Sequence, residues 1–421
     1  MKSFIYESTS HKIAAAVTWV VFVSPFLLYT LTVYWYAANV PYQDDYDVVL
    51  GFLLKFDKVQ TLREKIILLF AQHNEHRIVF DRLIFLIYHA LFGEVNFKAL
   101  ILFGNLGWIA ATLSLILYLR KIFHLSWVEV MPLPYLLLSF SHWENMFFAM
   151  AGIQNYWFIL FAIAFLSSLL GTQIVAHCTL FAVALFTSGG GVILYPIGNL
   201  FLLLQRKWKP LAYFFVLSSF CLALYFYGYH KPAGHPSIVE ALWSPLRTTT
   251  YFLMFLGNVL PLDLNRHALL FGVVLALFLA SSLFKRRETL FYSLLIGFVL
   301  LIDFTTTLTR SGFGVEQATS SRYSMFPLLL WACLYAFLIS GKFSSVRVKQ
   351  LVIIGATLGA ILFWTAGIYA IRQKQFFSLI KDERLSSIAA FREGEQGRLL
   401  YPSQKRAAQL LTEAEQKQLY T

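Results

Sequence analysis

Long apolar runs alternate with short basic connectors along most of the chain. A helix needs about 20 mostly apolar residues to cross a bilayer. The runs that meet or approach this are 13–38, 97–119, 127–142, 152–171, 173–188, 190–204, 210–228, 268–284, 289–308, 323–340 and 350–371. The connectors Arg120-Lys121, Arg206-Lys207-Trp208-Lys209, Lys285-Arg286-Arg287 and Lys342…Arg347…Lys349 carry the excess positive charge that marks cytoplasmic loops. The N-terminus, with Lys2 and Lys12, belongs on the same side. Eleven crossings satisfy every connector if two further apolar segments, 76–92 and 247–262, lie in the outer interface. The first bears Arg77, Asp81 and Arg82, as an interfacial amphipathic helix would. The predicted fold is therefore an all-α polytopic bundle, residues 1–371. Its outer face carries 39–96, 143–151, 229–246 with 262–267, and 309–322. A tail of 372–421 follows on that face, with helical spacing over 403–420 and a capping-box pattern at Thr412–Glu415.

Composition changes this picture little. Of 421 residues, 58% are hydrophobic and 13% charged, too apolar for a soluble chain of this length. The net charge of +12 is spread over connectors rather than gathered in a patch, which excludes nucleic acid as the expected partner. The three cysteines fall inside apolar runs and read as core residues, not as a disulfide framework. The polar start Met1–Lys12 before a full-length apolar run predicts no cleavable signal peptide. No Asn lies in a glycosylation sequon, which points to a bacterial inner membrane. Gly189-Gly190-Gly191 reads as the break in a helical hairpin rather than a phosphate cradle, since no Lys-Ser/Thr follows.

The chemistry is carried by outer segments. Asp44, Asp45 and Asp47 follow the first span directly, where carboxylates belong at the water boundary because they are costly inside. They could present a base to a substrate at the surface, or simply cap the span. His73-Asn74-Glu75-His76-Arg77 opens the 76–92 segment and could hold a phosphate or orient a sugar, with His73 and Arg77 on one helical face. His73-x-x-His76 lacks zinc-site spacing and a cysteine partner, so no metal site is expected there. His142, Glu144 and Gln154 form a second outer group that could contact substrate. Arg310, Arg322 and Tyr323 form a third. Positive residues there run against the topology bias, and a guanidinium fork suits a phosphate ester. Asp303 is the one acid deep in an expected span and no repeat is visible, which argues against a transporter or lipid flippase.

An acidic pair after the first span, a long first outer loop and later outer arginines resemble the GT-C superfamily of polytopic glycosyltransferases. The combination of Pro41–Asp47, His73–Arg77 and Arg310–Tyr323 looks most similar to bacterial members that modify surface polysaccharide or lipopolysaccharide. The resemblance touches the N-terminal seven spans and the 309–323 loop. It implies an inverting transfer from a polyprenyl-phosphate-linked sugar to a glycan or glycolipid acceptor. Asp44 or Asp45 would be the base, and Arg310 and Arg322, with Tyr323, would take the donor phosphate. No cofactor is implied beyond a divalent cation, which Asp45 could hold instead. An O-antigen-type polymerase or ligase is the other enzyme reading. The early acid pair favours the transferase.

Overall fold

A computed structural model describes residues 2–232, 234–260, 267–283, 290–341, 343–395 and 398–421. The expected connector 285–287, Lys342 and most of 262–267 lie outside the described residues. Among the described residues the chain is helical, with no β-strand. In chain order the helices are α1 (Lys2–Tyr36), α2 (Phe52–Lys58), α3 (Leu62–Leu69), α4 (Val79–Phe92), α5 (Phe97–Phe123), α6 (Pro132–Leu137), α7 (Trp143–Met146), α8 (Ala149–Leu169), α9 (Ile174–Leu185) and α10 (Leu194–Leu204). They continue as α11 (Trp208–Phe226), α12 (Ile238–Leu242), α13 (Pro245–Leu256), α14 (Ala268–Leu283), α15 (Leu290–Arg310), α16 (Met325–Ile339), α17 (Val346–Gln373), α18 (Phe376–Arg392) and α19 (Gln404–Gln416).

Among the described residues, seven helical segments are long and apolar enough to cross a membrane: Ala15–Tyr36, Phe97–Phe123, Ala149–Leu169, Trp208–Phe226, Leu290–Phe313, Ser321–Ile339 and Val346–Gln373. Each overlaps an expected crossing. Glycines bring two of them together. A Cβ on Gly104 would stand 2.9 Å from the Gly152 backbone, so α5 and α8 approach as closely as small residues allow.

The other four expected crossings differ. Residues 127–142 are not a helix of spanning length. They hold one short helix, α6, then an irregular stretch. This segment runs the length of the bundle. Glu129, at its start, pairs with Lys349 at the beginning of α17. Glu144, just past its end, reaches the turn before α16. Broken backbone inside a bundle must find partners among side chains. Here Trp108 Nε1 donates to the Leu137 carbonyl at 3.0 Å and Trp364 Nε1 to the Leu138 carbonyl at 3.0 Å. α9 has 12 residues, roughly 18 Å at 1.5 Å per residue, against a core of roughly 30 Å. With α10 it forms a short hairpin joined through residues 186–193. α14, with 16 residues, is the fourth and also falls short of the seven long segments.

Neither α4 (14 residues) nor α13 (12 residues) is long enough to cross. On α4 the charges do not lie among headgroups as the sequence suggested. Asp81 and Arg82 are buried in protein, while Leu83, Ile87, Leu91 and Phe92 are exposed. For Arg82 the reason is capping: its Nη1 donates to the carbonyls of Leu68, Leu69 and Ala71 at the end of α3.

The tail folds back onto the end of the bundle where α1 finishes. Arg406 and Tyr401 both donate to the Asp47 carboxylate, and Tyr420 donates to the Asn39 carbonyl at 2.7 Å. Its helix begins at Ser403, whose Oγ accepts from Arg406 N. Thr412 therefore lies in mid-helix and caps nothing, contrary to the capping-box pattern.

Candidate active site

At that same end lies a cavity of about 510 Å³, walled by α8, α11, α15, the start of α16 and the tip of the α9–α10 hairpin. Asp44, Glu75, His76, Gln154, Arg310, Arg322 and Tyr323 all line it. Residues of the first loop, of α8 and of the 310–323 stretch, far apart in sequence, thus meet at one site.

Asp44 enters from the turn after α1. Gln43 has φ +48 and donates its N–H to the Leu400 carbonyl, so the tail fixes this turn. The Asp44 carboxylate faces His73 Nε2 at 3.4 Å and Asn74 Nδ2 at 3.4 Å. Burial opposes its ionisation, but the His73 hydrogen bond and the charges of His73 and Arg322 outweigh it and hold the carboxyl below the usual range. Asp44 is thus ionised and keeps no arginine partner within ion-pair distance among the described residues.

Residues 73–76 form a tight turn rather than the helix start expected from sequence, because His73 and His76 exchange both backbone hydrogen bonds at 2.8 Å. Asn74 occupies the left-handed region at φ +47, which Asn tolerates better than most residues. The turn aims Glu75 and His76 into the cavity. His76 Nδ1 accepts from Gly189 N at 3.0 Å, so its proton sits on Nε2, facing Glu75 Oε1 at 3.5 Å. Burial pushes the His76 pKa down to about 4, and the ring is neutral at pH 7. Glu75 is also ion-paired with Arg310 and lies 3.9 Å from His235.

Arg322 is the more open cation, with about half of its side chain exposed and Nη2 3.6 Å from Glu144 Oε1. Its turn is built by Glu144. One Glu144 oxygen accepts from Ser320 Oγ and Ser321 Oγ, each at 2.9 Å, and from Arg322 N at 3.3 Å. Asn145 adds a bond to the Arg322 carbonyl at 3.0 Å. Tyr323 stacks on Phe255 and accepts from Gln317 Nε2 at 3.1 Å.

Several expected site residues stand elsewhere. Asp45 is 1% exposed and points away from the cavity. Its oxygens accept Met150 N at 2.9 Å and Tyr42 N at 3.2 Å, anchoring the start of α8. Burial raises its pKa to about 7 against the pull of those two bonds and of Arg384. Arg77 is buried and donates to the carbonyls of Phe70, Tyr225 and Tyr227, locking the first loop onto the end of α11. His142 is fully buried, with Nδ1 2.6 Å from Tyr156 Oη and Nε2 3.3 Å from the Leu137 carbonyl of the broken crossing. His73 touches Asp44 but does not line the cavity, and Glu144 acts through the 320–322 turn. Among the described residues no group of three His, Cys, Asp or Glu side chains is arranged to hold a metal ion.

Other lining groups were not singled out from sequence. His235 comes from the 229–246 loop, whose Pro and Gly gave no chemical pattern. Thr305, Thr306 and Thr309 line the wall from α15. The glycine triplet, expected only to break a hairpin, also makes the cavity floor. A Cβ on Gly189 would meet His76 Nδ1 at 2.7 Å, one on Gly190 would meet Phe158 at 2.8 Å, and one on Gly191 would meet Leu185 Cα at 2.4 Å. The site thus holds two carboxylates, Asp44 and the Arg310-paired Glu75, with two guanidinium groups, the neutral His76 imidazole and the His235 ring around one polar cavity. Such a site can accept a proton and hold an anion together. No protein family, curated protein or solved structure matches this chain.

Proposed function

We propose that this protein is an inverting glycosyltransferase of GT-C type. Its donor is a sugar linked to a polyprenyl phosphate, and its acceptor is a hydroxyl of a surface glycan or glycolipid. It spans a bacterial inner membrane eleven times, counting the broken 127–142 segment, α9, α10 and α14 as crossings, with the cavity on the periplasmic face. The observation that carries the reading is the pairing of Asp44, ionised and free of arginine, with Arg310 and Arg322 across one cavity at the membrane end of the bundle.

In this reading Asp44 takes the proton from the acceptor hydroxyl. The oxygen attacks the anomeric carbon from the face opposite the phosphate. The carbon–oxygen bond to phosphate breaks, the configuration inverts, and the lipid phosphate leaves with one more negative charge. Arg322 and Arg310 meet that charge as the phosphate competes with their present partners, Glu144 and Glu75.

The test is transfer by the purified protein in nanodiscs, with polyprenyl-phosphate sugars as donors and membrane glycolipid extracts as acceptors. Mass spectrometry should find a new glycosidic bond and the released lipid phosphate, and Asp44→Asn should remove both. Polymerised repeat units from a diphosphate donor would replace this reading with the polymerase one.

A further inference from the structure

The apolar surface of α11 does not stop where the helix does. Phe215, Val216, Phe220, Leu224 and Phe226 are exposed along it, as expected of a lipid-facing helix. Beyond its end the exposure grows. Tyr227 is 83% exposed, and on α12 and the approach to α13 Trp243 is 83% and Leu246 82% exposed. Ile238, Val239 and Leu242 are exposed with them. α12 has only five residues, and of these Ala241 alone is buried. Fully burying one such side chain is favourable by about 1.5–3 kcal/mol, so a cluster of this size standing in water would be costly. Lys231 and the Arg247–Glu240 pair edge the patch with the charges suited to headgroups, and Trp243 and Tyr227 are the residues of an interfacial belt.

The patch adjoins the cavity. Pro236, two residues before α12, packs against Gly312, where a Cβ would come within 2.4 Å. Phe313, also exposed, meets the His235 ring at 5.8 Å, and the Arg310 guanidinium lies 5.8 Å from the Phe313 ring. His235 and Arg310 both line the cavity. The step from the apolar patch to a cavity cation is therefore a single ring.

We infer that α12 and the start of α13 are immersed in the outer leaflet and form the lateral entrance for a lipid substrate, the hydrocarbon chain lying against Leu242, Trp243 and Leu246 while its phosphate passes Phe313 to Arg310. The substrate part rests on the proposed function; the immersion does not.

The two parts are tested separately, with the full chain in nanodiscs and its three cysteines replaced. A spin label at Leu246→Cys should be relaxed by oxygen more than by a water-soluble nickel chelate. The opposite order overturns the immersion, and dipolar coupling between labels of two copies would show that a second chain covers the patch instead. Then Leu242→Glu with Trp243→Glu should raise the apparent KM for a long-chain polyprenyl donor by about tenfold, the equivalent of roughly two buried methylenes, with little change for a short-chain analogue. An equal effect on both donors, or none on either, overturns the entrance. Absence of transfer by the parent protein with a lipid-correct spin-label result would count against the glycosyltransferase reading alone and send the same pair of variants to a binding assay with polyprenyl phosphate, where loss of long-chain preference is again required.

Discussion

Asp44 and Asp45 are bonded neighbours that serve two regions. Asp44 stands at the rim of the cavity, facing His73 and Asn74, and its carboxyl is held below the usual range. Asp45 turns the other way, into the seam between the first loop, α8 and the tail, where two backbone N–H groups take its oxygens and burial lifts its pKa to about 7. The arginines divide in the same manner. Arg310 and Arg322 keep guanidinium surface in the cavity, whereas Arg77, Arg82 and Arg384 are buried and spend their donors on main-chain carbonyls. A charged group held by the backbone is a fastener. One with unused capacity beside open volume is available for chemistry.

The sharpest way to break this contrast is to neutralise each carboxylate in turn. Asp44→Asn should cost about 10³-fold or more in kcat while leaving thermal stability near the parent value, as expected for removal of a general base. Asp45→Asn should instead lower stability, because its amide must turn an N–H toward one of the two backbone donors, and should keep turnover per folded molecule within about tenfold. Rates on purified, monodisperse protein with matched melting curves decide between them, and equal loss in both variants would erase the distinction. Next, Arg322→Ala should cost about 10²-fold in kcat/KM for the donor, in line with loss of one anion-stabilising group. Arg77→Ala should cost about 2–4 kcal/mol of stability by leaving buried carbonyls unpaired, with little effect on donor affinity at low temperature.

The pH profile probes the pair more gently. Asp44 stays ionised down to acid pH, so with Asp44 as base kcat should show no limb from this group between pH 5 and 8. A limb near pH 7 would identify Asp45 as base instead. Stability has the opposite sign for the two. The folded pKa of Asp45 lies above its unfolded value, so its contribution is fully present below about pH 4 and is lost as the pH rises toward 7. The folded pKa of Asp44 is depressed, so its contribution is present above the unfolded value and lost as the pH falls through the folded one. Asp45→Asn should therefore flatten a decline in stability between about pH 4 and 7, measurable by melting curves across that range. The smallest expected effect is at His142. His142→Phe should keep the packing against Trp108 and cost about 1–3 kcal/mol by removing the ring nitrogen 2.6 Å from the buried Tyr156 hydroxyl, with no change in KM.

Much of this was legible in the residues. The seven long crossings follow from hydropathy because lipid tolerates only continuous apolar helices on its exposed faces. Glu75, His76, Arg310 and Arg322 stood out because charge on an outer loop of such a chain needs a local cause. The 127–142 crossing misled because burial inside the bundle lets a broken backbone borrow partners from Trp108, Trp364 and His142, and apolar composition does not record where those partners are. Arg77 looked like its neighbours Glu75 and His76, since only the path of α11 brings the Tyr225 and Tyr227 carbonyls to join that of Phe70. His235 had no signal, being one histidine in a Pro- and Gly-containing loop.

The sequence by itself determined that the chain is helical, which segments are long and apolar enough to cross a membrane and which connecting segments carry charge, because these depend on local composition against a fixed bilayer thickness. Tertiary structure alone decided which way each charge turns. Asp44 and Asp45 differ by the rotation of one residue along a turn held by Leu400 of the tail and Met150 of α8, contacts more than 100 residues away. Whether a side chain is a fastener or a reagent depends on what stands within 3–4 Å of it, and only the packed bundle supplies that.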